Sequence, residues 1–329
     1  MQDLVITRKV FGINLQMPKM NEKEILLLAP RGFCAGVDRA VLIVEQCLEK
    51  YGAPIYVNHE IVHNKFVVER LEKQGVIFEK PIAEIPEGSV YLLSAHGVSP
   101  KVVEEAQAQN LKIIDATCPL VTKVHKEAKR FTKNGYTILL IGHKKHVETQ
   151  GTYGEAPSDT IIIETEDHAR QFHPQLNTQY AYLTQTTLSL SDTSEIIKIL
   201  QDKIPNLAGP QKSDICYATT NRQLTIKEFT NDVDMLLVVG SQNSSNSNRL
   251  REIGERCGIT SYLIDSKDEL QRNWFDKVTR VAISAGASAP EVLISDVVKE
   301  LQLNFNFSKV VEMTYKEENI SFAIPAELK

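Results

Sequence analysis

Short apolar runs alternate along this chain with segments of helical periodicity. Ile25–Ala29 reads as a buried strand, and Pro30 and Gly32 break it. From Val37 to Lys50 the pattern is that of a helix, with Val41, Ile43, Val44 and Cys47 among its apolar positions. Cys34 therefore sits where a strand hands over to a helix, and the positive end of a helix favours a thiolate. The same order recurs twice. Lys112–Ile114 leads through Asp115, Ala116, Thr117 and Cys118 to Pro119, a residue suited to a first helical turn, and then to Val121–Phe131. Asp214, Ile215 and Cys216 open a third segment, followed by a helix over Thr219–Phe229. The expectation is three strand-turn-helix units, each with one cysteine at its turn.

The repeat extends beyond the cysteines. His63 follows Cys34 by 29 residues, after a strand over Pro54–Val57 and before a helix over Phe66–Lys73. His146 follows Cys118 by 28, after a strand over Tyr136–Ile141. Ser244 follows Cys216 by 28, after a strand over Met235–Val239, and a helix over Leu250–Cys257 comes next. A third set of turns follows the strands Val90–Leu93, Tyr180–Leu183 and Val281–Ile283. The first runs Ser94 to Pro100 and the last Ser284 to Pro290. The middle one runs Thr184 to Ser189 before a helix through Glu195–Leu200.

Strands alternating with helices imply parallel sheets, which bind ligands beyond the carboxyl ends of their strands. The expected organisation is three α/β units of about 90 residues. They run over 23–117, 118–212 and 213–303, and the first strand can instead join the third domain. Residues 1–22 are expected to be an N-terminal extension. Residues 304–329 are expected to be a closing segment over the cavity, with a strand-like stretch at Ile320–Ile324. Three units about a pseudo-threefold axis would bring all nine turns, and three thiolates, to one cavity.

Composition narrows the class. The chain has 329 residues, enough for two or three domains, with 42% hydrophobic and 24% charged residues, as in a soluble globular protein. A net charge of −5 argues against a nucleic-acid partner, and no apolar run approaches the roughly 18 residues of a membrane span. Residues 1–22 show neither a continuous apolar core nor a small-residue cleavage site, so no secretory signal is expected. The expected location is cytoplasmic, where five cysteines are read as reduced thiols rather than a disulfide framework. Cys47 and Cys257 are expected to be buried small hydrophobes, at and near helix positions. Cys34, Cys118 and Cys216 stand in turns, where functional groups are displayed.

Three thiolates from separate units admit several chemistries. Structural zinc sites usually draw on close pairs, and no Cys-x-x-Cys occurs here. An iron–sulphur cluster fits better, because each widely spaced cysteine can hold one iron. With three candidates for the usual four ligands, one iron would be open and act as a Lewis acid. The other turn residues are polar but nearly uncharged: His63, His96, His146, Thr186, Thr187, Ser244, Ser245, Asn246 and Ser288. The run from Ser241 to Arg249 opens a helix with a dense array of donors, suited to a phosphate without a lysine clamp. Glu148 follows the second turn of the middle unit and is the natural proton donor beside an electron-supplying group.

Four stretches carry a resemblance. They are Pro30 to Ala40, Asp115 to Val121, Cys216 to Gln223, and Gly240 to Arg249. In these the chain resembles the 4-hydroxy-3-methylbut-2-enyl diphosphate reductases, from about Ile25 to Leu328. The resemblance implies a trefoil of three α/β domains around a [4Fe-4S] cluster held by Cys34, Cys118 and Cys216, with one open iron meeting the substrate's C4 oxygen. It implies a diphosphate lying among His63, His96, His146, Ser244, Ser245, Asn246 and Ser288. Thr186 would lie near the hydroxyl, and Glu148 would deliver protons. It also implies two electrons from a ferredoxin or flavodoxin, loss of the hydroxyl as water, and isopentenyl or dimethylallyl diphosphate as product. Val147 and Gln150 stand where the family usually has proline and an acidic residue. Two other classes are a cluster-dependent hydro-lyase, which would consume no electrons, and a cluster sensor, which would need a basic or partner-binding surface.

Overall fold

In the computed structural model of the chain, residues 7–10, 22–229, 231 and 233–329 are described. Apart from 7–10 and Glu22, the expected N-terminal extension lies outside them. The chain forms two compact units. Among the described residues, one contains those up to Cys34, His63–Phe66 and those within Tyr217–Ile320; the other contains Ala35–Val62, Val67–Cys216 and Ser321–Lys329.

The first unit is built on a six-stranded sheet. Its order is β1 (Thr7–Val10), β13 (Phe307–Thr314), β2 (Lys23–Ala29), β12 (Arg280–Ala285), β10 (Met235–Val239) and β11 (Thr260–Ile264). All its pairings are parallel except that of β1 with β13. Both faces are covered, as a parallel sheet requires. Ile25, Leu237, Val239 and Ile283 point into one core with Val297 and Leu301, whereas Leu26, Leu28, Leu236 and Val238 point into another with Ile226 and Leu250. Hence Ile25–Ala29 of β2 and the whole of β10 read as unbroken apolar runs rather than alternating ones. Helices α8 (Tyr217–Phe229), α9 (Ser245–Arg256) and α10 (Glu291–Asn304) belong to this unit.

The second unit holds two wholly parallel sheets. One has the order β4 (Val76–Phe78), β3 (Ile55–Val57), β5 (Val90–Leu93), β6 (Lys112–Asp115). The other has the order β8 (Thr160–Ile163), β7 (Tyr136–Ile141), β9 (Gln179–Thr184). The helices along this stretch are α1 (Ala35–Tyr51), α2 (Lys65–Glu72), α3 (Pro100–Ala108), α4 (Pro119–Lys133), α5 (Val147–Tyr153), α6 (Glu166–Gln171) and α7 (Leu190–Lys203). The chain is thus an α/β protein with parallel sheets.

Three sequence expectations need correction. No strand precedes Cys216, because Pro205, Gly209 and Pro210 keep that approach irregular. The C-terminal strand is β13, at Phe307–Thr314, and Ile320–Ile324 has no regular structure. Cys257 is exposed just past the end of α9, although Cys47 is sealed within α1 as expected.

Candidate active site

Each turn cysteine is fixed at its backbone by a turn distant in sequence. Cys34 follows Gly32, which adopts a φ of +65° to swing the chain from β2 into α1. Its N–H donates to Ala287 O at 3.2 Å, in the turn after β12. Cys118 is the N-cap of α4, with Pro119 at the first helical position, and its N–H donates to Ala95 O at 3.0 Å, in the turn after β5. Cys216 directly precedes α8 and donates to Thr186 O at 3.0 Å, in the turn after β9. The three turns involved are the third set of the sequence repeat, each used by the cysteine of the following unit. All three cysteines are half-buried. Cys47, by contrast, is fully buried and burial pushes its thiol up to about 11, so it is poorly suited to supply a thiolate.

In the first unit the donors anticipated from the Ser241–Arg249 run gather at the start of α9. Ser244 caps this helix, its Oγ accepting from Ser247 N at 3.3 Å and from Ser247 Oγ at 3.0 Å. A hydroxyl that accepts twice keeps its own proton for a further acceptor. Ser245 is half-buried at the first helical position. Asn246 is only 5% exposed, yet neither its amide nitrogen nor its amide oxygen has a partner among the described residues. Leaving such a group unsatisfied is costly, so it points to a ligand. Gly286 is what lets this corner close, since a Cβ there would lie 2.0 Å from Ser247 Oγ. Ser288 donates to His63 O at 2.8 Å, so its proton is committed to fixing the His63 backbone.

In the second unit, His146 lies against both His96 and the backbone of Glu148. His146 caps α5, its Nδ1 accepting from Glu148 N at 3.2 Å. The His146 and His96 rings lie 6.2 Å apart, edge to face. Gly151 allows this, because a Cβ on α5 would press on Gly97 O at 3.2 Å. Gln150 donates its amide to Lys144 O and ties down the turn before α5.

Glu148 is 4% exposed and lies in the first turn of α5. Thr186 N–H donates to Oε1 at 2.6 Å and the Thr186 hydroxyl to Oε2 at 3.1 Å. Burial outweighs these two donors and pushes its pKa up to about 7, with nearby Asp214 adding in the same direction. A carboxyl poised there can give up a proton near neutrality and keep the resulting anion bonded.

Two further residues position this machinery and were not singled out from sequence. Gln185 accepts from Thr149 Oγ1 at 3.1 Å and from His143 N at 3.1 Å, and donates to Thr187 Oγ1 at 2.9 Å, locking α5 to the turn after β9. Asp214 accepts from Thr184 N at 3.0 Å and pairs with Lys123 at 2.8 Å. Burial raises its pKa to about 6, against the pull of Lys123. Its place two residues before Cys216 was the available cue. In the first unit, fully buried Arg222 donates to Gly32 O at 2.7 Å and pairs with Glu318 at 3.2 Å, bracing the Cys34 turn.

A family model described as LytB protein matches residues 25–302. The chain belongs to the LytB protein family. Its LytB relatives include the 4-hydroxy-3-methylbut-2-enyl diphosphate reductase of Saccharophagus degradans, 50% identical over 310 residues that cover 93% of this chain and 99% of the relative. The enzyme of the same name from Pseudomonas aeruginosa is 50% identical over 93% of this chain and 98% of its own length. Among solved structures, the E-1-hydroxy-2-methyl-but-2-enyl-4-diphosphate reductase of Plasmodium falciparum superposes with a TM-score of 0.91 at 38% identity, covering 93% of this chain and 97% of that one. A second, of (E)-4-hydroxy-3-methyl-but-2-enyl diphosphate reductase, gives a TM-score of 0.61 at 34% identity over 85% of this chain and 99% of that one. No described helix is long and apolar enough to cross a membrane.

Proposed function

We propose that this chain catalyses the reductive removal of the C4 hydroxyl of (E)-4-hydroxy-3-methylbut-2-enyl diphosphate, the last step of the non-mevalonate isoprenoid route, in the cytoplasm. Two electrons and two protons are taken up, the hydroxyl leaves as water, and isopentenyl and dimethylallyl diphosphate are formed. Cys34, Cys118 and Cys216 hold a [4Fe-4S] cluster with one open iron; when bound, that group supplies electrons and a Lewis-acidic iron. A ferredoxin or flavodoxin is the electron donor.

The observation that carries this reading is the role of Thr186. Through its carbonyl it holds Cys216, and through its N–H and hydroxyl it holds the buried acid Glu148. An acid and a cluster ligand fixed by one residue are what a reaction needing electrons and protons together requires. Glu148, neutral below about pH 7, donates a proton, and the Thr186 donors then hold its carboxylate. Asn246 Nδ2 and the Ser244 hydroxyl donate to the diphosphate from the start of α9, where the helix N-terminus adds its positive field. His63, His96, His146, Ser245 and Ser288 complete the polar surround of the substrate. The donor set also favours a cluster over zinc, since the half-buried thiols are single and widely spaced.

The test is anaerobic turnover of the allylic diphosphate with dithionite-reduced methyl viologen, with products separated by chromatography. Formation of the two isomeric diphosphates, with two electrons consumed per product, is the expected result. Conversion without a reductant would instead make the chain a hydro-lyase.

A further inference from the structure

Beside Cys118 lies a groove of about 490 Å³, whose lining includes Arg39, Asp115, Thr117, Lys123, Lys126 and Arg130. Thr117 and Pro119, the two neighbours of Cys118 in the chain, both face it. Four cations line this groove against two carboxylates, Asp115 and Glu127, in a chain whose net charge is −5. The positive groove is therefore a local exception to the field of the whole molecule.

The cations differ in how far they are already spent. Lys123 is committed to Asp214 at 2.8 Å and lies 3.5 Å from Glu127. Arg39 donates to the carbonyls of Ala323, Thr117 and Asp115, which fix it without cancelling its charge. Arg130 is 3.8 Å from Glu127, too long for a hydrogen bond. Exposed Lys126 has no ion-pair partner among the described residues. The exposed side of α4 adds Lys129 and Lys133, the former paired with Glu155 at 2.8 Å. With Arg39 turned onto carbonyls, the groove is not a tight anion pocket. It is a positive surface that takes in both chain neighbours of Cys118.

We propose that this groove is the docking surface of an acidic, one-electron carrier protein. The proposal rests on the reading above, in which Cys118 is a cluster ligand and electrons come from outside. Each encounter oxidises one carrier by one electron and reduces the cluster by one. Two encounters, with two protons, therefore match each hydroxyl lost as water. A carrier that must arrive and leave twice per turnover needs a weak, fast interface, which complementary charge around an access point provides. Steering of this kind is screened by salt.

The test is the double charge reversal Lys126→Glu, Arg130→Glu, read with an acidic [2Fe-2S] ferredoxin. Its oxidised form is titrated calorimetrically against the enzyme, and its reduced form drives turnover. The variant should bind at least about tenfold more weakly at low salt, with carrier-driven kcat/KM falling in step and losing its salt dependence. Turnover with reduced methyl viologen should stay within about twofold of wild type, and Lys299→Glu on α10 should change neither readout. Unchanged affinity for the ferredoxin overturns the proposal. So does an equal loss with methyl viologen, or groove binding of an oligonucleotide in place of the carrier. A wild-type enzyme inert with both reductants would sink the functional reading, and the docking proposal with it.

Discussion

The backbone carbonyl of Thr186 accepts the Cys216 N–H at 3.0 Å. The same residue donates its own N–H and hydroxyl to Glu148. A change at the carboxyl is thus one residue away from the Cys216 backbone, and the conservative variant is the informative one.

Glu148→Gln keeps the size of the side chain and an acceptor oxygen for the Thr186 N–H but removes the acidic proton. A positioned acid contributes typically 10²–10⁴-fold in rate, so turnover should fall at least about a hundredfold. Substrate affinity and the visible spectrum should be retained. The pH profile adds a second readout. Because the donor must be protonated, wild-type kcat should decline as pH rises through about 7, and this limb should be absent from the variant. A variant with normal turnover would move the proton source to another group, with His146 the nearest candidate.

Stability should carry the same signature. The Glu148 pKa is raised from 4.5 to about 7 by burial, so between these values the folded state binds more protons than the unfolded one. Stability is therefore greatest below this window and falls as pH rises through it. Asp214, raised to about 6, acts in the same direction. Urea unfolding at pH 5 and pH 8 should show Glu148→Gln gaining on wild type by up to roughly 3 kcal/mol across the window. A constant difference at both pH values would mean that Glu148 is not a high-pKa acid in the folded protein.

Asn246→Ala separates a ligand-binding residue from a merely capped loop. The amide is buried with neither polar atom partnered, so its removal should leave the melting temperature of the unliganded protein unchanged or higher. Diphosphate affinity should drop roughly ten- to hundredfold, as expected for a lost donor to a charged group, and the spectrum should not change. The measurement is thermal melting with and without inorganic pyrophosphate. A destabilised variant that still gains the wild-type pyrophosphate shift would contradict this role.

Much of the fold could be read from the chain because its central strands are buried on both faces. The five residues of β10, Met235–Val239, are buried without exception, and the apolar run matched the strand end to end. An edge is harder. In β13, a register shift between Phe307 and Lys309 disturbs the alternation, and β1 covers its other side, so Phe307–Thr314 lacked a clear pattern. The tail showed the opposite error. Ile320, Phe322 and Ile324 alternate as a strand would, but no strand pairs with them and Ile320 remains 43% exposed. At the candidate site, spacing brought out the turn cysteines and the donors at the start of α9. It could not reveal that Thr186, 38 residues from Glu148, would seal that carboxyl from water. Nor could it pair Asp214 with Lys123 or Arg222 with Gly32, since both contacts join positions remote in sequence.

What the turn cysteines hold decides the chemistry of this site. Anaerobically purified wild type should be brown, with a broad visible absorption near the blue end and iron and sulphide in equal amounts. Cys34→Ser, Cys118→Ser and Cys216→Ser should each lose that colour and its iron. Cys47→Ser in the interior of α1 and Cys257→Ser beyond α9 should keep both. The spectrum and metal content of these six proteins settle the matter. A colourless wild type containing zinc, or a dependence of the iron on Cys47 or Cys257, would contradict the account.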